Sequence, residues 1–386
     1  MPVSIYFDNA ATSSPKPPSV VKAVTDALTR CNANPGRSGH RAAIEAGRIV
    51  LDARQRLQSI LGAEDATGVI FTLNCTDALN LAIKGSLNYG DHVIATMLEH
   101  NSVLRPLNEL SRRGRITLTL LSPRDDGFIA PEDVRSAIRA ETRLIVVTHA
   151  SNVTGAIQPV AAIGQIAREH GVRYLIDGAQ ALGAMPVNVQ ALNCDLYAFP
   201  GHKSLLGPQG TGGLYIRPGV GLYTLREGGT GSSSDSMLQP EELPERYESG
   251  TVNLPGIAGL GAGCAYVAGQ LSQILSHERE LTAALYEGLS AMDGVTLYSP
   301  AGEAARTGIV SFNLGDLSSS QTADALARAD IAVRGGLHCA PGAHRFLGTL
   351  RRGAVRASVG HANTFEEVDR FLRTLREVSV DSHASG

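Results

Sequence analysis

The sequence feature that most restricts the fold is a regular alternation of short β-rich runs with helical stretches between Gly68 and Arg217. Such alternation is typical of parallel strands joined by crossover helices, and it predicts one α/β domain. Predicted strands lie near 68–72, 92–96, 116–121, 144–148, 173–176, 194–199 and 213–217. Predicted helices lie over 40–61, 76–87, 103–113, 131–140 and 160–170.

The rest of the chain has a different pattern. Residues 227–255 contain many Gly, Ser and Pro residues with little apolar periodicity, which predicts a long ordered loop that serves a site or an interface. An α+β second domain is predicted after this loop, with helices over 257–275, 277–291 and 364–378 and strands near 294–298, 308–313 and 354–359. The last residues, 379–386, are small and polar and are expected to fray.

Length and charge narrow the class of protein. A chain of 386 residues is expected to form two domains, because single hydrophobic cores stop growing near roughly 250 to 300 residues. The net charge of -3 provides no basic face for nucleic acid or an anionic membrane, so a small-molecule function is favoured. The sequence has no apolar run of about 20 residues and no signal-like N-terminus, which predicts a soluble, cytoplasmic protein. Its five cysteines form no C-x-x-C pair, so free thiols and no metal site are expected.

Two side chains with complementary chemistry follow predicted strands. Asp177 ends one strand, in Asp177-Gly178-Ala179-Gln180, and Lys203 follows the next, in Gly201-His202-Lys203. Pyridoxal phosphate (PLP) requires a lysine that bonds to its aldehyde and an acid that keeps its ring nitrogen protonated. Alone, each residue has an ordinary interpretation, as a helix-capping aspartate or a solvated lysine. Together they indicate a PLP site.

The surrounding sequence strengthens this interpretation. The run from Gly201 to Gly210, GHKSLLGPQG, resembles the lysine loop of class-V aminotransferase-type PLP enzymes, especially the cysteine desulfurases and selenocysteine lyases. The resemblance begins at Tyr6-Phe7-Asp8-Asn9 and ends after Arg356. It implies PLP fold type I, like that of aspartate aminotransferase, an α/β fold with a mostly parallel central sheet. The large PLP-binding domain is expected over 15–256, and the smaller α+β domain, with the catalytic cysteine loop, over 1–14 and 257–386.

The turn Asn74-Cys75-Thr76-Asp77-Ala78 follows a predicted strand and opens a predicted helix. Free N–H groups and the positive end of the helix dipole make such a turn an anion site, although a lone threonine there is more often an N-cap. The resemblance implies that this turn binds the cofactor phosphate through the backbone, Cys75 included, and through the Thr76 hydroxyl. The Cys75 thiol is expected to be an inert small hydrophobe.

Other cofactor contacts are implied by the resemblance alone. His100 corresponds to an imidazole that stacks on the pyridine ring, and Asn152 and Gln180 correspond to hydrogen-bond partners of the phenolic oxygen, with Asn152 also near the substrate. Without the resemblance, His100 would be a structural histidine and Asn152 a turn residue. Pro200 stands where many relatives have a Ser or Thr hydroxyl for the phosphate, so phosphate binding is expected to depend more on His202 and on a partner subunit.

The segment Glu248-Ser249-Gly250-Thr251-Val252-Asn253 resembles one that relatives insert across a dimer interface. There it gives the neighbouring phosphate a threonine hydroxyl, here Thr251. The alternative is a plain surface turn. A homodimer with composite sites is therefore expected.

The predicted second domain contains the residues that decide the reaction. The run from Ile331 to Pro341, IAVRGGLHCAP, resembles the nucleophile loop of the desulfurases, with Cys339 at the position of the persulfide-forming thiol. A lone cysteine is more often buried and unreactive. The loop is short, like that of the group that needs an acceptor protein to collect the sulfur. Arg356 matches the guanidinium that pairs with the substrate carboxylate, where a solvated arginine is the alternative.

The activity implied is that of a cysteine desulfurase, which converts L-cysteine to L-alanine and places the sulfur on Cys339 as a persulfide. Lys203 would move the α-proton, and His100 or His338 would move others. A role in iron–sulfur cluster assembly follows from the same resemblance. The alternatives are a selenocysteine lyase, a class-V aminotransferase or epimerase, and a catalytically silent interaction protein.

Overall fold

A computed structural model describes residues 5–36, 38–232, 234–302 and 305–384. A short strand, β1 (Ile5–Tyr6), comes first in the chain. A seven-stranded central sheet follows, in the order β2-β8-β7-β6-β5-β3-β4. Its strands are β2 (Val69–Thr72), β3 (Asp91–Thr96), β4 (Ile116–Leu121), β5 (Thr142–Thr148), β6 (Arg173–Asp177), β7 (Leu196–Pro200) and β8 (Gly212–Ile216).

A second group of strands lies later in the chain. The four-stranded sheet has the order β12-β13-β10-β9, and β11 pairs in parallel with β1. These strands are β9 (Val295–Leu297), β10 (Ile309–Leu314), β11 (Ile331–Ala332), β12 (Arg334–Gly336) and β13 (Ala354–Ser358). The helices are α1 (Pro18–Thr29), α2 (Arg41–Leu61), α3 (Cys75–Ser86), α4 (Asn101–Arg112), α5 (Pro131–Ala137), α6 (Val160–Glu169), α7 (Leu254–Ser290), α8 (Ser319–Arg328), α9 (Pro341–Phe346) and α10 (Phe365–Ala384).

The central sheet is buried on both faces. In β5, Ile145 and Val147 belong to one buried core, and Leu144 and Val146 belong to the core on the other side. Successive side chains of a strand point to opposite faces, so a run of apolar residues needs cover on both. The predicted α/β fold of type I, with a mostly parallel sheet, is confirmed.

One strand departs from the parallel pattern. β8 pairs antiparallel with both β2 and β7. The chain returns from β7 to β8 through residues 201–211 without a crossover helix, and a parallel return needs a crossover of about a dozen residues or more. The lysine loop lies in this short connection. The same connection therefore makes β8 antiparallel and places Lys203 next to the end of β7.

The N-terminal segment packs with the C-terminal part of the chain. Ile5 and Phe7 are buried in the same core as Phe312 and Phe371, and the ring of Phe371 contacts those of Phe7 and Phe312. The predicted domain boundary at 256/257 falls inside α7. The assignment of 1–14 and 257–386 to one domain stays a prediction.

Two predictions of local structure were wrong, and helix α1 was not predicted. The helices predicted over 257–275 and 277–291 form one element, α7, interrupted at Gln270, whose φ of -137° is non-helical. The residues predicted to fray from 379 onward continue α10 to Ala384, because no Gly or Pro interrupts that stretch; residues 385 and 386 lie outside the described chain. α1, which buries only Val20 and Ala27, was not predicted.

The loop predicted over 227–255 is confirmed as irregular up to Asn253, where α7 begins. Among the described helices, none is long and apolar enough to cross a membrane.

Candidate active site

A cavity of about 220 Å³ lies at the carboxyl ends of three neighbouring strands of the central sheet. Thr148, Asp177 and Pro200, the last residues of β5, β6 and β7, all line it. Parallel sheets bind ligands at this edge because loops and helix N-termini converge there. The cavity brings together most of the predicted site residues: Cys75, Thr76, His100, Asn152, Asp177, Gln180, His202, Lys203 and Arg356. Cys339 and Thr251 lie outside its lining.

Lys203 and Asp177 have opposite charges and share this cavity. Burial lowers the pKa of Lys203 to about 8, and the charge of Arg356 acts in the same direction. Burial raises the pKa of Asp177, which is opposed by a hydrogen bond from the Ala179 N–H at 3.0 Å and by the charge of Lys203. A lysine that loses its proton easily suits bond formation to an aldehyde. A buried carboxylate suits a cationic partner.

In the turn before α3, the alternative interpretation of Thr76 as an N-cap is wrong. The N-cap is Asn74, whose side chain accepts from the Asp77 N–H at 2.9 Å, so Thr76 is not a capping residue. No described residue accepts from the N–H groups of Cys75 or Thr76. The Cys75 thiol donates to the Asp177 carboxylate at 3.6 Å, and burial raises its pKa. It is therefore a polar contact of Asp177, where the sequence predicted an inert hydrophobe.

His100 is the N-cap of α4. Its Nδ1 accepts from the Ser102 N–H at 3.0 Å and lies 2.9 Å from the Ser102 hydroxyl. Burial lowers the pKa of His100 to about 4, and the charge of Lys203 adds to this effect. The ring is thus neutral at pH 7, and because Nδ1 is an acceptor, the proton lies on Nε2. His100 faces the cavity as a hydrogen-bond donor.

Arg356 lies in β13 and is 1% exposed, so the alternative of a solvated arginine is wrong. Its guanidinium donates to Asp8 at 2.9 Å and to the Asn152 carbonyl at 2.9 Å. Its Nε is buried without a partner among the described residues. Gln180 also lines the cavity, and its side chain donates to the Ala10 carbonyl at 3.1 Å.

The cysteine loop joins β12 to α9 through residues 337–340. His338 and Cys339 have φ values of 51° and 57°, the left-handed region that few residues other than glycine adopt. Both carbonyls are held: that of His338 accepts from the Asn152 side chain at 2.6 Å, and that of Cys339 accepts from the Asn101 N–H at 2.7 Å. Cys339 itself is exposed.

His338 is buried, and both of its ring nitrogens are engaged. Nε2 donates to the Arg334 carbonyl at 3.0 Å, so Nδ1 accepts from His344 at 3.3 Å. His344 is held in turn by the Thr349 hydroxyl at 2.8 Å. Burial lowers the pKa of His338 to about 3. Of the two histidines considered for proton movement, this arrangement favours His100.

Thr251 is exposed and lies outside the lining of the cavity. The segment that carries it is anchored at one end by Glu248, which forms a bidentate ion pair with Arg54 at 2.7 and 2.8 Å. The two side chains are only 7% and 8% exposed, and Glu248 also accepts from the Phe71 N–H at 2.6 Å. This anchor, with the bonds from the Gly250 N–H to Gly229 and from the Asn253 side chain to Gly210, fixes the position of segment 249–253.

The structure adds site residues that the sequence reasoning missed. Asp8 pairs with Arg356, Asn101 holds the Cys339 carbonyl, and Ser102 contacts both His100 and Thr76. Arg334 lines the cavity and lies directly opposite Arg356 in the antiparallel register of β12 and β13. Asp8 stands inside the motif Tyr6-Phe7-Asp8-Asn9 and Asn101 follows His100 directly, but no sequence pattern indicated which partners they would meet.

The residues present fit PLP. The His202 Nδ1 and the Arg356 Nε are buried without partners among the described residues, and both side chains line the cavity. Such orphaned polar atoms are costly unless a ligand satisfies them, and the Arg356 Nε is a donor, while the His202 Nδ1 donates in one of its tautomers. Together with the open N–H groups of Cys75 and Thr76, they provide donors for the anionic groups of a phosphorylated cofactor and an amino acid.

Comparison with known proteins agrees with this fit. The chain matches the family described as aminotransferase class-V over residues 5–371. It is 36% identical to a probable cysteine desulfurase from Methanothermobacter thermautotrophicus, covering 97% of this chain and 94% of that one. It is 33% identical to a cysteine desulfurase from Escherichia coli, covering 97% and 93%. A solved cysteine desulfurase structure from Thermococcus onnurineus superposes with a TM-score of 0.92 at 35% identity, covering 98% and 95%.

The fold and the cavity define a PLP-type α/β enzyme of fold type I. The chain belongs to the class-V aminotransferase family, and within it to the cysteine desulfurase-like group. The resemblance inferred from the lysine loop and the cysteine loop is thereby confirmed.

Proposed function

We propose that this protein is a cysteine desulfurase that converts L-cysteine to L-alanine and receives the sulfur on Cys339 as a persulfide. The observation that carries the proposal is the cysteine loop. Cys339 is exposed and has a left-handed backbone conformation; its carbonyl is held by the Asn101 N–H, and the carbonyl of the preceding His338 is held by Asn152, which lines the lysine cavity. A thiol with only a structural role gains nothing from such an arrangement, whose strain costs on the order of 1 kcal/mol or more per residue.

The residues of the cavity have separate roles in this proposal. Lys203 would hold PLP, and Asp177 would face its ring nitrogen. The turn at Cys75 and Thr76, with His202, would bind the phosphate, while Asn152 and Gln180 would contact the phenolic oxygen. When bound, PLP withdraws electrons from the α-carbon of the substrate. Lys203, whose pKa is lowered to about 8 by burial, accepts the α-proton near neutral pH.

Arg356 is proposed to bind the substrate carboxylate. Its Nε is free, whereas its other two nitrogens hold Asp8 and Asn152. Arg334 supports this contact by adding positive charge to the same cavity wall. A carboxylate entering here meets two guanidinium groups and one competing carboxylate, that of Asp8.

The sulfur step balances without an external oxidant. The Cys339 thiolate attacks the substrate sulfur, an S–S bond forms and the Cβ–S bond breaks. The electron pair of the broken bond remains with carbon, and Cβ takes up a proton to give alanine. Sulfur is oxidised to the persulfide level, and carbon is reduced by the same two electrons. His100, with its proton on Nε2, is suited to donate a hydrogen bond to the substrate sulfur.

A homodimer is part of the proposal. Thr251 is exposed and does not reach its own cavity, and the Arg54–Glu248 pair fixes the segment that presents it. A neighbouring subunit that receives Thr251 would gain a phosphate hydroxyl that Pro200 does not supply. The exposed Cys339 would then pass its sulfur to an acceptor protein.

Mass spectrometry after incubation with L-cysteine tests the proposal. A mass increase of one sulfur atom on Cys339 is expected, together with one alanine per sulfur. Cys339→Ser should lose both, while Cys31→Ser, at a buried cysteine remote in sequence from the loop, should keep both. Unchanged alanine release from L-cysteine in Cys339→Ser would remove Cys339 from the mechanism. Loss on L-cysteine with retention on L-selenocysteine would favour the selenocysteine lyase alternative.

A further inference from the structure

Ser102 connects two parts of the cavity that the proposed function treats separately. It is the second residue of α4 and is 8% exposed. Its hydroxyl lies 2.7 Å from the Thr76 hydroxyl and 2.9 Å from the His100 Nδ1. Its backbone N–H donates to the same Nδ1 at 3.0 Å. Thr76 belongs to the turn before α3, so this contact joins the N-termini of two helices.

The number of protons limits how these contacts are made. Each hydroxyl has one proton to donate, and a neutral imidazole nitrogen that accepts has none. The His100 Nδ1 is already satisfied by the Ser102 N–H. The Ser102 hydroxyl proton can therefore point to Nδ1 or to Thr76, and because the N–H already serves Nδ1, turning the hydroxyl to Thr76 leaves that nitrogen with a donor. If the Thr76 hydroxyl donates to a phosphate, its oxygen is left as an acceptor, and the Ser102 hydroxyl, 2.7 Å away, is then the donor in this contact, in which either hydroxyl can donate.

We propose that Ser102 is a positioning residue that orients the Thr76 hydroxyl toward the cofactor phosphate. Its backbone N–H at the same time fixes His100 with the proton on Nε2. The inference rests on the proposed function in one respect, because it requires the turn at Thr76 to bind the phosphate of PLP.

The neighbouring residues make this orientation important. Pro200, the last residue of β7, lines the same cavity and has neither a hydroxyl nor an N–H to donate. Thr76 is therefore the phosphate hydroxyl that a single chain offers from these two positions. Without Ser102, the Thr76 hydroxyl would lose its recorded partner and with it the contact that orients it, and part of the phosphate affinity would be lost.

The test compares PLP with pyridoxal, which lacks the phosphate. Dissociation constants are measured by titrating the full-length apoprotein and following the visible absorbance of the lysine-bound cofactor. Loss of one neutral hydrogen bond predicts that Ser102→Ala binds PLP about threefold to tenfold more weakly. Its affinity for pyridoxal should stay within about twofold of the wild type. Thr76→Val should show the same selective loss.

A double-mutant cycle gives the sharper result. In the Thr76→Val background, Ser102→Ala should cause no further loss of PLP affinity, because the hydroxyl through which it acts is gone. Additive losses would overturn the proposal, and so would equal losses for PLP and pyridoxal, which would indicate a general structural defect.

Two control variants complete the experiment. Ser102→Thr keeps a hydroxyl and should restore PLP affinity to within about twofold of the wild type. Ser111→Ala makes the same chemical change near the other end of α4 and should have no effect. Wild-type affinity for PLP in Ser102→Ala would overturn the role of Ser102 while leaving the proposed function intact. Equal wild-type affinity for PLP and pyridoxal would instead overturn the phosphate site itself, and this inference with it.

Discussion

Lys203 is expected to destabilise the cofactor-free protein at neutral pH. Burial and the charge of Arg356 lower the pKa of its ammonium group from 10.5 to about 8. At 1.36 kcal/mol per pKa unit, the folded state carries this proton at a cost of about 3 kcal/mol. Partial contact of the side chain with solvent reduces the cost to about 2 kcal/mol. Lys203→Met keeps a similar length without the charge and should remove this cost.

The gain in stability should depend on pH with a definite sign. Below pH 8 the folded and unfolded wild-type chains both hold the proton, so the whole cost is present. Between pH 8 and 10.5 the folded chain releases the proton while the unfolded chain keeps it, and wild-type stability rises. The advantage of Lys203→Met should therefore fall by about half near pH 9.5.

Differential scanning calorimetry of the apoprotein measures this effect. With an unfolding entropy of about 2.1 cal/mol/K per residue, a chain of 386 residues gains about 1.2 °C in Tm for each kcal/mol. Lys203→Met should melt about 2 to 4 °C above the wild type at pH 7. Lys84→Met, at an exposed position of α3, is the matched control and should melt within about 1 °C of the wild type. A variant that melts at or below the wild-type temperature, or a gain that grows with pH, would refute the reasoning.

Three further predictions follow from the site. Asp177→Ala should bind PLP weakly and lose nearly all alanine production, because no buried carboxylate then faces the ring nitrogen; near-normal turnover would contradict that role. Thr251→Ala should weaken PLP retention about threefold to tenfold without changing a residue of its own cavity; a monomer with full activity in light scattering and turnover assays would exclude composite sites. Glu99 is fully buried, which raises its pKa to about 8, so wild-type stability should fall as pH rises from 4.5 to 8. Glu99→Gln should lose this pH dependence in urea denaturation, and an unchanged slope would contradict it.

Much of the large-scale fold followed from periodicity. The β-rich runs were short and separated by helical stretches, and every predicted strand of the central sheet is present. Periodicity failed where tertiary contacts replaced a local signal. β1 and β11 are two residues each and exist because they pair with one another across the chain. α1 buries only Val20 and Ala27, and it packs against α7, a helix that comes far later in the chain.

The lysine, the acid and the cysteine loop were identified from sequence because their chemistry requires particular residue types in short motifs. The sequence by itself therefore determined the family, the fold class and the candidate chemistry. The tertiary structure alone decided which groups are engaged. It pairs Asp8 with Arg356 and places the Ser102 hydroxyl within hydrogen-bond distance of Thr76 and His100. It also engages both ring nitrogens of His338 in hydrogen bonds. Hydrogen bonds of this kind depend on distances of a few tenths of an ångström between residues far apart in the chain, and no local pattern encodes them.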